Sequence, residues 1–130
     1  MTVLLVVLQN TYEHRTNSPE WEAVFWDSYT GKRLKEMLPV GVECVVTNAS
    51  TMIGYGSKSV CPADVDHIQW MVEQVKPSAI LACGIIAQRG LASAGYEFIS
   101  APHPAWRQLS KIKTREIRLR LQHLIGATGD

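Results

Sequence analysis

The first apolar run of the chain, Val3 to Leu8 (VLLVVL), contains no polar position. A strand with one wet face alternates apolar and polar residues, so an unbroken Val/Leu run predicts a strand buried on both faces, as in a parallel sheet. Gln9 to Glu20 is polar. In Thr30 to Leu38 (TGKRLKEML), Leu34, Met37 and Leu38 recur at helical spacing, and Pro39 and Gly41 stop the helix. Val42 to Thr47 (VECVVT) predicts the second strand. Asn48 to Ser59, rich in Gly, Ser, Asn and Thr, reads as a long loop. Pro62 opens a second helix at a position where its missing N–H is tolerated. Ile68, Met71, Val72 and Val75 form its apolar stripe, and Pro77 ends it. Ala79 to Cys83 (AILAC) is the third strand, Gly84 a turn, and Ile85 to Ala94 a short helix. Tyr96 to Ser100 gives a fourth strand. The last helix is expected from about Trp106 to Leu124, with Leu109, Ile117, Leu121, Leu124 and Ile125 toward the core.

Strands alternating with helices predict a mostly parallel sheet with helices on both faces. The expected fold is an α/β domain spanning residues 1–130, a three-layer α/β/α sandwich around a mostly parallel four-stranded central sheet. Ligands of such sheets bind beyond the carboxyl ends of the strands. That directs the search for chemistry to Gln9–Glu13, Asn48–Thr51, Gly84 and Ala101–Arg107.

Composition changes this picture little. The 130 residues are 46% hydrophobic and 19% charged, enough apolar material for one core and too much for disorder. A net charge of +1 argues neither for nor against nucleic acid. Its distribution is more informative. Arg107, Lys111, Lys113, Arg115, Arg118 and Arg120 face a single acid, Glu116, over the last helix, although a solvated helix face has the same composition. Three cysteines, Cys44, Cys61 and Cys83, form no CxxC pair, which argues against a disulfide framework and a zinc site. No metal and no cofactor are expected. The apolar run at the N-terminus is too short to span a membrane and lacks the flanks of a signal peptide. The expectation is an intracellular protein, cytoplasmic or nucleoid-associated, with no membrane partner.

Three of the strand ends carry polar residues that matter chemically. Asn48 offers one acceptor and two donors, a match to the adjacent carbonyl and N–H of a pyrimidine edge. Read alone, it is a turn or cap asparagine. His103 is held between Pro102 and Pro104, which restrict its backbone, so its imidazole can donate to an oxygen that gains negative charge. A lone loop histidine needs no such role. Asn10 can hold a water through its carbonyl oxygen but is no strong general base, because an amide does not ionise usefully. Tyr12 either walls a flat pocket or packs.

Taken in order, these residues resemble a known family. LQNTYEH (Leu8 to His14) resembles the first motif of uracil-DNA glycosylases, GQDPYH, with Gln9, Tyr12 and a nearby histidine kept. Asn10 stands at the catalytic Asp position, as in the mismatch-specific branch. TGKRLKEMLP resembles the helix that follows this motif in the iron–sulfur branch, and VVTNAS its strand end with a pyrimidine-reading Asn. VKPSAILACGIIA resembles IKPKVIVALGRTA, and SAPHPAWR resembles the second catalytic motif, HPS. The pieces cover most of the chain. There are departures: Leu8 replaces a glycine, Thr11 a proline and Ala105 a phosphate-contacting serine. The four cluster cysteines are missing, and the chain is shorter than typical members.

The resemblance implies a DNA glycosylase that hydrolyses the N-glycosidic bond of uracil, or of a related deaminated or modified base, in single-stranded or mismatched DNA. Such enzymes flip the base into a pocket. Gln9, Tyr12, Trp26 and Asn48 would bind the base, with Trp26 or Phe25 stacking on it and Tyr12 excluding the thymine methyl. His103 would donate to the base O2, and Asn10 would position the attacking water. Without a carboxylate there, turnover would be slow. Trp106, Arg107 and Lys111 would contact DNA, Trp106 as a wedge or else as a core residue. Competing readings are a catalytically weak protein of this fold that binds DNA, a nucleobase or a protein, a protein acting on free nucleotides, and an unrelated flavodoxin-like domain.

Overall fold

The computed structural model describes residues 3–9, 25–50, 63–106 and 108–127. Within them lie four strands, β1 (Val3–Leu8), β2 (Glu43–Asn48), β3 (Ala79–Cys83) and β4 (Ile99–Ala101). Four helices alternate with them: α1 (Tyr29–Met37), α2 (Val65–Val75), α3 (Ile85–Ala94) and α4 (Lys111–Ala127). Residues 25–27 add a helical turn before α1. The strands form one sheet in the order β2-β1-β3-β4, and every pairing is parallel.

The unbroken apolar run of β1 has a direct structural cause. Leu4, Val6 and Leu8 point to one face, where they pack with Leu34 and Met37 of α1 and Ile117 and Leu121 of α4. Leu5 and Val7 point to the other, against Ile68 and Met71 of α2 and Ala87 and Leu91 of α3. Alternate residues of a strand face opposite sides, so helices cover both faces of the sheet. β3 repeats the pattern, with Leu81 and Cys83 on the first face and Ile80 and Ala82 on the second. Each such Leu, Ile or Val is worth roughly 1.5–3 kcal/mol of burial.

Helix ends follow local capping chemistry. Ser28 caps α1 by accepting from the Gly31 N–H at 3.1 Å. Asp64 caps α2 through the His67 N–H at 3.1 Å, so the helix begins at Val65 and not at Pro62, which lies outside the described residues. α3 ends in a Schellman arrangement. Gly95, at φ 85°, donates to Ala92, and Tyr96 donates back to Leu91. Tyr96 is therefore part of a helix cap, and β4 starts three residues later than its sequence suggests. The last helix is also displaced. The chain turns twice between His103 and Leu109 before Ser110 caps α4, accepting from Lys113 N–H at 3.0 Å. Trp106 and Leu109 thus precede α4, though Leu109 still reaches the core.

Two arginines tie α1 to the C-terminal part of the chain. Arg33 donates to the carbonyls of Trp106 and Leu109, each at 2.8 Å. Arg118 of α4 donates to the carbonyl of Glu36. No helix among the described residues is long and apolar enough to cross a membrane.

Candidate functional site

The strand order fixes where a ligand can sit. From β1 the chain crosses through α1, on one face, to β2. From β3 it crosses through α3, on the other face, to β4. The carboxyl ends of β1 and β3 therefore flank the switch point of the sheet, where such folds leave a crevice. A cleft of about 550 Å³ opens there, lined by Gln9, Gly84, Gln88, His103, Trp106 and Lys113, with Ile85 and Ser100 to Pro102 completing its wall.

Gly84 makes this arrangement possible. Its backbone, at φ 91° and ψ 167°, is a conformation that L side chains avoid. Its N–H donates to the Ala101 carbonyl at 2.8 Å, which joins the ends of β3 and β4. A Cβ on Gly84 would lie 3.6 Å from the Cβ of His103, so the histidine sits directly over the glycine. Gln88, one turn into α3, reaches the same Ala101 carbonyl through Nε2 at 3.3 Å.

His103 is the most constrained polar group of the cleft. The Ala105 backbone N–H donates to Nδ1 at 3.1 Å. A backbone amide is always a donor, so Nδ1 is the unprotonated nitrogen and the neutral ring carries its proton on Nε2. Burial holds the His103 pKa below the ordinary value of 6.5, which keeps the ring neutral. The Trp106 N–H closes the turn on the His103 carbonyl at 2.9 Å. Arg33 then fixes that turn from α1, stacked against the Tyr29 ring and bonded to its hydroxyl.

The residues expected from sequence divide into three groups. Gln9, His103 and Trp106 line the one cleft. Trp106 is 48% exposed at its rim and is not a core residue. Lys111 is exposed at the first position of α4, and Lys113 lines the cleft. Asn48 ends β2, beside Leu8, and is half-buried but not part of this lining. Trp26, expected against the base, lines a separate cavity with Leu38, Val42 and Cys44 and packs edge-on to Phe25. Its position follows from the apolar cluster under α1 that both rings join. Asn10, Tyr12 and Arg107 lie outside the described residues.

Gln88, Ser100 and Ile85 were not legible as cleft residues. The only signal for Gln88 is its position one turn after a glycine that ends a buried strand. No group of His, Cys, Asp and Glu among the described residues could hold a metal ion. Cys83, which precedes Gly84 in the chain, is fully buried, and that burial pushes its thiol pKa far up, so it is a core residue and not a nucleophile.

The described lining of the cleft is thus a neutral imidazole donor, two side-chain amides, a serine, a half-exposed indole and one lysine. Such a set can hydrogen-bond a flat polar ring and stabilise a developing anion. Compared with known proteins, the chain matches no family model and no curated protein sequence.

Proposed function

We propose that the protein is a DNA N-glycosylase that hydrolyses the bond between deoxyribose and uracil, or a related deaminated base. The observation that carries the reading is the hydrogen bond from Ala105 N–H to His103 Nδ1. It leaves Nε2–H as a fixed, uncharged donor in a cleft at the switch point of the sheet. Departure of a pyrimidine from its sugar puts negative charge on the base oxygen. A preoriented donor stabilises that charge without reorganising as it develops.

Around this group the other roles follow from the motif resemblance and the cleft. Gln9 contacts the base, and Asn10 positions water on the sugar. By the motif resemblance, Tyr12 would lie beside the base and Asn48, at the end of β2, would read its edge. Trp106 and Lys113 stand at the cleft, where a nucleic acid strand would pass, and by the same resemblance Lys111 and Arg107 would add phosphate contacts. DNA is the partner, held in part by phosphate contacts that weaken with salt.

A second reading rests on one feature of the lining. Among its described residues there is no carboxylate, so nothing there offers a charged partner to an oxocarbenium-like sugar. The same cleft would then serve a protein that binds DNA or a nucleobase with little or no turnover.

The deciding experiment incubates excess protein with single-stranded and mismatched duplex oligonucleotides containing uracil, then cleaves abasic sites with alkali. His103→Ala and Asn10→Ala run alongside. Strand cleavage by the wild type that disappears in both variants supports the glycosylase and assigns the two groups. No cleavage by folded wild-type protein rejects uracil excision in favour of the binding reading.

A further inference from the structure

At the opposite end of the edge strand β2, far from the carboxyl ends of the strands, lies a second cavity of about 500 Å³. Its size falls in the range of small-molecule sites, roughly 300–1,000 Å³. Trp26, Leu38, Pro39 and Val42 supply an apolar wall, and Cys44 of β2 adds to it. Trp26 is held edge-on by Phe25 at 5.1 Å between ring centres, so its position is set by packing. We propose that this cavity is a binding site for a small carboxylate with an aromatic or aliphatic body.

The charge of the wall selects that chemistry. Lys35 and Arg118 line the cavity, and among the described residues no acidic one does. Neither cation takes part in an ion pair among the described residues. Arg118 donates one N–H to the Glu36 carbonyl, while its Nε is buried with no hydrogen-bond acceptor. A buried donor without a partner is costly, more so on a charged group. A guanidinium and an ammonium that line one cavity suit a single carboxylate, which accepts N–H bonds from both. The apolar wall excludes a bare inorganic anion as the whole occupant, because it would leave that surface wet. A neutral apolar ligand would leave the two cations uncompensated. A carboxylate on an apolar body answers both.

The test is a ¹⁵N-NMR titration of the full chain with naphthalene-2-acetate and, separately, with the uncharged naphthalene-2-acetamide. The acid should give saturable shifts confined to the amides of residues 26, 35–38, 40–44 and 118, and bind at least about tenfold tighter than the amide. Lys35→Gln, an exposed change that leaves the core intact, should weaken the acid about threefold and leave the amide unchanged. Arg118→Gln should weaken the acid by about tenfold or more. If that variant fails to fold, the acid–amide pair and Lys35→Gln still decide. Equal binding of acid and amide, shifts scattered over the surface, or no saturable shift at millimolar acid would each overturn the proposal.

Discussion

The backbone N–H of Ala105 donates to His103 Nδ1 at 3.1 Å across a two-residue turn, so the chain itself selects the tautomer of this cleft histidine. The consequence is a ring whose free nitrogen is a donor at neutral pH. Protonation would put a second proton on Nδ1 and turn it against the Ala105 N–H.

Burial of the ring sets a pH dependence. The folded pKa of His103 lies below the 6.5 of an unfolded histidine. Between those values the unfolded chain binds the proton and the folded chain does not, so folding weakens as pH falls. The contribution of His103 is present in full above 6.5 and is lost on descending through that pH to its lowered folded value. Ring ¹⁵N spectra should report the Nε2–H tautomer at pH 7 and a titration midpoint under 6.5. A midpoint at or above that value, or the opposite tautomer, would sink the assignment.

Arg33 should control the position of the His103 turn. Replacing it with alanine removes the bonds to the Trp106 and Leu109 carbonyls and should cost about 1–2 kcal/mol, the partly exposed setting keeping the figure low. Lysine keeps the charge but not the fork that spans two carbonyls. Arg33→Lys should therefore also speed amide exchange over residues 106–109. Unchanged exchange in both variants would mean the turn holds itself.

Gly84→Ala tests the backbone under the histidine. The added methyl has room, at 3.6 Å from His103 Cβ, so the penalty comes from φ 91° and ψ 167°. It should be about 1–3 kcal/mol. Urea denaturation measures it, and a stability equal to wild type would show that the turn relaxes freely.

Thr47 is 1% exposed, and its hydroxyl meets His67 Nε2 at 2.9 Å. Valine has nearly the same shape, so Thr47→Val removes the bond without leaving a hole. A loss of about 1 kcal/mol is expected. A gain in stability on the same denaturation curve would mean that the hydroxyl is a burden on the core.

β3 and α3 were readable residue for residue, because a buried AILAC run between Pro77 and Gly84 and a helix between two glycines leave little choice. β1 was equally plain, since six apolar residues rich in Val and Leu, too few for a helix of ordinary length, suit a strand covered on both faces. The misplaced boundaries share a cause. Tyr96 looks like a strand residue but bonds back into the cap of α3. Trp106 looks like the start of a helix, yet Ser110 is the residue whose side chain satisfies the first turn. Local capping bonds outweighed pattern in both places. For the cleft, the strand-end rule located Gln9 and His103. It could not reach Gln88, which enters from a helix, or foresee that Trp26 is drawn to a different cavity by Phe25.

The order β2-β1-β3-β4 has a cost that the finished molecule hides. β1 is made first, yet one of its two hydrogen-bonded neighbours, β3, is made only after β2 and α2. While the ribosome works through that stretch, a strand of six apolar residues stands with one edge open. Such a segment is a template for pairing with another nascent copy. The hazard is one of timing: once Ala79–Cys83 docks, β1 is interior and harmless. Yield in the cell should accordingly follow elongation speed and chaperone supply more closely than it follows the stability of the folded protein.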